Sequence, residues 1–100
     1  MKDSDILTML KTDLIISTTK IDTYLGNLIE LAKAAIQKEG ITFVEITESD
    51  GSKGLNIEDG MLVQMYAAYL YRCRREENKA MPRSLRYELN NRLLSQKGKV

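Results

Sequence analysis

The stretch that decides the fold is EDGMLVQMYAAYLYRCRREENK, residues 58–79. Between residues 61 and 71 its only plainly polar residue is Gln64. A helix that is apolar around most of its circumference must be covered by other elements on several sides. From Arg72 onward the sequence turns strongly charged. The pattern predicts a central helix over residues 58–79 that starts in the core and continues into solvent or against a partner.

Length and composition indicate one small globular domain, residues 1–100. Hydrophobic residues make up 43% of the chain, which is enough for a core, and charged residues make up 29%. The sequence has no apolar run near the roughly 20 residues that span a bilayer. Asp3 and Asp5 stand where a secretory signal would carry basic residues. We therefore expect synthesis in the cytoplasm and no membrane partner.

The chain has few of the residues that carry catalysis. It contains no histidine, the commonest general base and metal ligand, and a single cysteine, Cys73. Cys73 follows the apolar turns of the central helix, so we interpret it as a small, half-buried hydrophobe rather than a nucleophile. We expect no enzymatic activity, no catalytic residues, no cofactor and no metal site.

Charge is distributed unevenly along the chain. Residues 1–71 hold six lysines and eleven acids, giving −5, whereas residues 72–100 hold nine basic residues and three acids, giving +6. All the arginines lie in the second part. This segregation indicates either a solvated basic face or a surface for an anionic partner.

Apolar periodicity predicts a mainly α fold, a bundle of about four helices around the central one. A first helix and its apolar lead cover residues 1–17, with residues 14–16 expected to be extended. A second helix covers residues 19–39, and Gly40 is placed to end it in a left-handed cap. A last helix covers residues 82–96, with Pro82 at its first position.

Residues 40–57 form an extended loop between the second helix and the central helix. Residues 41–47 are rich in β-branched side chains and predict a short strand. Its partner is either the return segment 54–57, forming a hairpin, or the edge of another subunit; the alternative is an irregular loop pinned by Phe43 and Ile46. Phe43, Val44 and Ile46 are the candidates for an inter-subunit strand.

The tyrosines of the central helix allow two interpretations. Tyr66, Tyr69 and Tyr71 could stack on nucleic-acid bases, but a helix presents them in different directions. We favour the interpretation that they lie at the edge of the core.

Three stretches together resemble a known family. They are LKTDLII at residues 10–16, DTYLGNLIELAK at residues 22–33 and MPRSLRYELNNRL at residues 81–93. With the Ala- and Tyr-rich central helix that ends in arginines, they resemble the head-tail connectors (head completion or DNA packaging adaptor proteins) of long-tailed bacteriophages. The resemblance covers nearly the whole chain and rests on packing signatures rather than on a catalytic motif.

The resemblance implies a structural protein of the virion, made in the host bacterial cytoplasm and located at the head–tail interface. It would assemble as a ring beneath the portal, extend the DNA channel and dock the tail. The implied partners are copies of itself, the portal protein, a tail or second connector protein, and DNA passing through the channel. The basic residues expected to contact neighbouring subunits, the portal or DNA are Arg72, Arg74, Arg75, Lys79, Arg83, Arg86 and Arg92.

Two other functions compete with this one. A small nucleic-acid-binding regulator of phage or plasmid origin would use the arginines to contact phosphates, but no residue pair indicates a turn between two DNA-binding helices. A small enzyme would need carboxylates or Cys73 to act without a histidine base.

Overall fold

The computed structural model describes residues 1–73 and 80–97. Within them the chain forms helices around a central helix, with a two-stranded hairpin between the second and third, as the sequence predicts. The elements in chain order are α1 (Asp3–Leu14), α2 (Asp22–Lys38), β1 (Glu45–Thr47), β2 (Lys53–Leu55), α3 (Ile57–Arg72) and α4 (Arg83–Lys97).

Helix α3 is the central element, because α1, α2 and α4 all pack against it. Val63, Ala67 and Ala68 are buried, and the two alanines allow the backbones of neighbouring helices to approach closely. The predicted central role of this segment is confirmed. The charged extension expected after it, with Arg74, Arg75 and Lys79, lies outside the described residues.

Helices α1 and α2 form an antiparallel pair tied at both ends. Lys11 Nζ lies 2.8 Å from Asp22 Oδ1, joining the end of α1 to the start of α2. At the other end Lys33 of α2 pairs with Asp3 of α1. The apolar faces between them bury Ile6, Leu10, Leu25, Leu28, Ile29, Ala32 and Ile36.

Ile15 ends α1 in a left-handed conformation, with φ 56° and ψ 50°. The prediction that residues 14–16 are extended is therefore wrong at Leu14, the last residue of α1, and at Ile15. The amide of Ile16 donates to the carbonyl of Lys11 at 2.8 Å, which satisfies a carbonyl at the helix end. Glycine is the usual residue for this cap, because a β-branched side chain is strained there.

The segment after α2 is confirmed as a hairpin, although its strands are shorter than predicted. Gly40 has φ 102°, which confirms the left-handed cap. The antiparallel strands then pair Glu45 with Leu55 and Thr47 with Lys53. Beside them the amide of Leu55 donates to the carbonyl of Met1 at 2.8 Å, so Met1 lies along the outer edge of β2.

Helix α4 begins after Pro82, whose carbonyl accepts the amide of Arg86 at 3.1 Å. Leu85 and Leu89, one turn apart, are 1% exposed and join the core. Leu94, by contrast, is largely exposed. The apolar edge of α4 is therefore narrow, and part of the neighbouring surface of α3 stays uncovered.

Replacing Ile15 with glycine is expected to stabilise the isolated chain. The substitution relieves the left-handed strain of a β-branched residue, and the side chain it removes is 91% exposed. We expect the free energy of unfolding to rise by about 1 kcal/mol in urea titrations. Ile15→Ala keeps a Cβ at the same φ and serves as the control, with no comparable gain. A loss of stability in the glycine variant would show that the Ile15 side chain supports the fold.

Candidate protein-interaction surfaces

A buried carboxylate joins three parts of the chain. Asp59, in the first turn of α3, has no exposed surface. Its Oδ1 lies 2.9 Å from Nε of Arg92, and its Oδ2 lies 3.3 Å from Nη2 of the same guanidinium. Oδ2 also accepts the amide of Val44 at 2.7 Å. Helix α3, helix α4 and the segment before β1 are thus held at one point.

The local sequence explains how Asp59 reaches this place. Asn56 caps α3, since its side-chain oxygen accepts the amide of Asp59 at 2.8 Å. A cap of this kind is a local feature of the sequence, whereas the burial of Asp59 is not. Its partner Arg92 lies 33 residues away, and neither helical periodicity nor local spacing indicates the contact.

The predicted contact residue Arg92 is engaged within its own chain. Its side chain is only 14% exposed and also pairs with Glu58 through Nη1 at 3.1 Å. A guanidinium that neutralises a buried carboxylate is poorly placed to contact another molecule. We therefore assign Arg92 a structural role in the fold.

The other described arginines differ in whether their guanidinium groups pair with a carboxylate of the same chain. Nη2 of Arg72 lies 3.3 Å from Oδ2 of Asp13, an oxygen that also accepts from Gln64 at 3.1 Å. Nη1 of Arg86 lies 3.4 Å from Oε2 of Glu39. Both guanidinium groups stay partly exposed. Arg83 is exposed and makes no ion pair within the described part of the chain.

An open groove of about 820 Å³ runs between α3 and α4. Met61, Leu62 and Met65 from α3 and Tyr87 from α4 supply its apolar surface. Met61 is 44% exposed and Tyr87 is 65% exposed. The polar and charged residues around it are Glu58, Arg83, Ser84, Glu88, Asn91, Arg92 and Ser95.

The groove has the composition of a protein-docking surface. An apolar surface with a polar rim is a feature that protein-docking surfaces share. Methionine side chains are flexible and polarisable, so Met61 and Met65 can adapt to an inserted apolar group. The groove was not predicted from the sequence, because it depends on how α4 crosses α3.

The predicted inter-subunit strand is partly used within the chain. Phe43 packs against the core. The amide of Val44 is bonded to Asp59, and its carbonyl accepts the amide of Asn56 at 3.0 Å. Ile46 lies in β1 with its side chain 39% exposed. Pairing of β1 with another subunit stays a prediction, confined to residues 45–47.

The tyrosines of α3 lie at the edge of the core, as favoured from the sequence. Tyr66, Tyr69 and Tyr71 are half-buried and pack against it. The rings of Tyr66 and Tyr69 meet edge to face, with centroids 5.9 Å apart. Burial raises the pKa of both the Tyr66 and the Tyr69 phenol. Their hydroxyls therefore stay neutral at physiological pH.

The hairpin turn is fastened to the start of α1 by charge. Lys2 pairs with Asp50, whose Oδ1 also accepts from the Ser52 hydroxyl at 2.6 Å. The hydrogen bond from Lys2 holds the pKa of Asp50 well below its ordinary value, and the same bond raises the pKa of Lys2. Both groups are fully charged at neutral pH, so the contact is an ion pair at the surface.

Residues 1–73 and 80–97 contain no group of three or more Cys, Asp or Glu side chains placed to hold a metal ion. Nor does any helix among the described residues combine the length and apolar character required to cross a bilayer.

Comparison of the chain with protein-family models, with curated proteins and with solved structures found no match.

Removing the guanidinium of Arg92 is expected to destabilise the fold strongly. Arg92→Met keeps the length of the stem but leaves the Asp59 carboxylate buried without a cation. We expect the free energy of unfolding to fall by about 3 kcal/mol in chemical denaturation. Arg83→Met, on the exposed part of the same helix, is the matched control and should change it by less than about 0.5 kcal/mol. Equal effects in the two variants would contradict the structural role of Arg92.

Proposed function

We propose that this chain is a structural assembly protein of a long-tailed bacteriophage, a head-tail connector that forms a ring beneath the portal. The observation that carries the proposal is the groove between α3 and α4. It is apolar, it is open in a single chain, and charged side chains surround it. Such a surface suits contact between protein subunits.

The resemblance of nearly the whole chain to connector proteins indicates the assembly in which this groove would act. The ring would extend the DNA channel and dock the tail, with the portal and a tail or second connector protein as neighbours. Arg83 and Arg86 of α4 and Arg72 at the end of α3 keep exposed guanidinium surface. They are the described residues that we propose for contacts with neighbouring proteins or with DNA in the channel.

The distribution of arginine partners favours an assembly protein over a nucleic-acid-binding regulator. Three of the four described arginines, Arg72, Arg86 and Arg92, already pair with carboxylates of the same chain. A protein that binds DNA mainly through phosphates needs its cations free, since each phosphate contact releases counterions. In this chain Arg83 is the described arginine that meets this condition.

A phage that lacks this protein should fail to complete its heads. Without the ring, packaged DNA is not retained and the tail has no docking surface, so we expect tailless heads, many of them empty. Electron microscopy of lysates, with particles counted by class, measures this. Supplying the wild-type chain from a plasmid is the control and should restore tailed particles. Full, tailed heads in normal numbers without the protein would contradict the proposed function.

Binding to free duplex DNA separates the connector from the regulator. We expect the purified chain to show little retention by duplex DNA at physiological salt, because most described arginines are paired within the chain. An electrophoretic shift measured over a salt series tests this. Tight retention that weakens steeply with salt would favour a nucleic-acid-binding regulator.

A further inference from the structure

We propose that Ile15 is a protein-binding anchor, and that its site is the groove between α3 and α4 of a second copy of this chain. The inference rests on the proposed ring assembly and names the contact between neighbouring subunits.

Contacts within the monomer do not explain the conformation and exposure of Ile15. Single exposed hydrophobic side chains are common and do not by themselves indicate a binding site. Ile15, however, combines 91% exposure with a φ of 56°, a conformation that β-branched residues rarely adopt. Glycine would end α1 with less strain. A strained side chain that the monomer hardly contacts indicates a use outside the monomer.

The turn that carries Ile15 is held in a fixed position. The cap bond from Ile16 to Lys11 closes the end of α1. Two residues earlier, the carboxylate of Asp13 accepts from Gln64 and Arg72 of α3. Ile15 is therefore presented by a turn anchored to the central helix, and less conformational freedom is lost when it binds.

The same chain carries a groove that is suited to bind this side chain. The groove exposes Met61 and Tyr87 and is larger than a single isoleucine side chain, so it has room for Ile15 together with part of the turn that carries it. Ile15 does not line the groove of its own chain. A second copy can supply the side chain that the first copy cannot place there.

Charge agrees with this pairing. The groove wall carries two exposed side chains that make no ion pair within the described part of the chain, Glu88 and Arg83. The turn after Ile15 carries Lys20, which is also exposed and without an ion pair among the described residues. The pairing therefore requires an orientation that places Lys20 beside Glu88 and away from Arg83. Opposite charges beside an apolar contact favour the correct partner and orientation.

The proposed contact joins two different surfaces. A turn on one copy inserts into a groove on the next, and that copy offers its own turn to a third. Contacts of this head-to-tail kind generate a closed ring when the rotation closes, and a filament when it does not. The geometry thus links Ile15 to assembly beyond a dimer.

The test compares the stability and the self-association of the same purified variants. Ile15→Gly should raise the thermal midpoint at protein concentrations where the wild type is monomeric. It should also lower the association constant at least tenfold, measured by sedimentation velocity over a concentration series. A gain in stability with a loss of association separates a binding role from misfolding. Leu31→Ala removes another exposed apolar side chain, on α2, and should leave association within about twofold of wild type.

A double-mutant cycle with Met61→Ala tests the receptor. If Ile15 inserts beside Met61, the double variant Ile15→Gly/Met61→Ala should lose less association than the two single losses combined. Independent, additive losses would overturn the assignment of the groove.

The remaining outcomes are also decisive. Unchanged association of Ile15→Gly would overturn the role of Ile15 and leave the connector function standing. A wild-type chain that stays monomeric at every concentration would overturn the contact between copies, while the particle counts of the phage lacking the protein judge the connector function separately.

Discussion

The fold depends on the pairing of Asp59 with Arg92. The carboxylate is fully buried at the start of the central helix, and it receives the guanidinium of α4 and the amide of Val44. A buried charge is costly unless it is neutralised and hydrogen-bonded, so the carboxylate needs all these groups in place. This requirement fixes where α4 crosses α3, and the crossing in turn leaves the groove open.

Helices α1 and α2 are positioned by a different constraint, their apolar packing against α3. Ala67 and Ala68 let neighbouring helices come close, and Val63 lies at the centre of the core. Helices α1 and α2 add a large apolar surface, whereas α4 adds mainly Leu85 and Leu89. The Asp59 pair adds a second, polar constraint on the position of helix α4. The narrow apolar edge of α4 explains why an apolar surface remains available beside it.

How much could be predicted from the sequence depended on the range of the interactions. The helices, the Gly40 cap and the Asn56 cap were predictable, because periodicity and capping are local. The burial of Asp59 was not predictable, since it depends on Arg92 from a distant segment. Ile15 was expected to be extended, because residues 14–16 depart from the helical period, yet α1 ends with a left-handed residue there. The groove was not predictable, since it is formed by two elements that join only in the fold.

In the proposed assembly, one small chain carries both halves of a head-to-tail contact. Native mass spectrometry of the purified wild-type chain over a range of concentrations tests this claim most directly. We expect species larger than dimers, and at high concentration a single species whose mass gives the number of copies in the closed ring. A species that stops growing at a symmetric dimer would contradict it, because such a dimer uses the same surface twice.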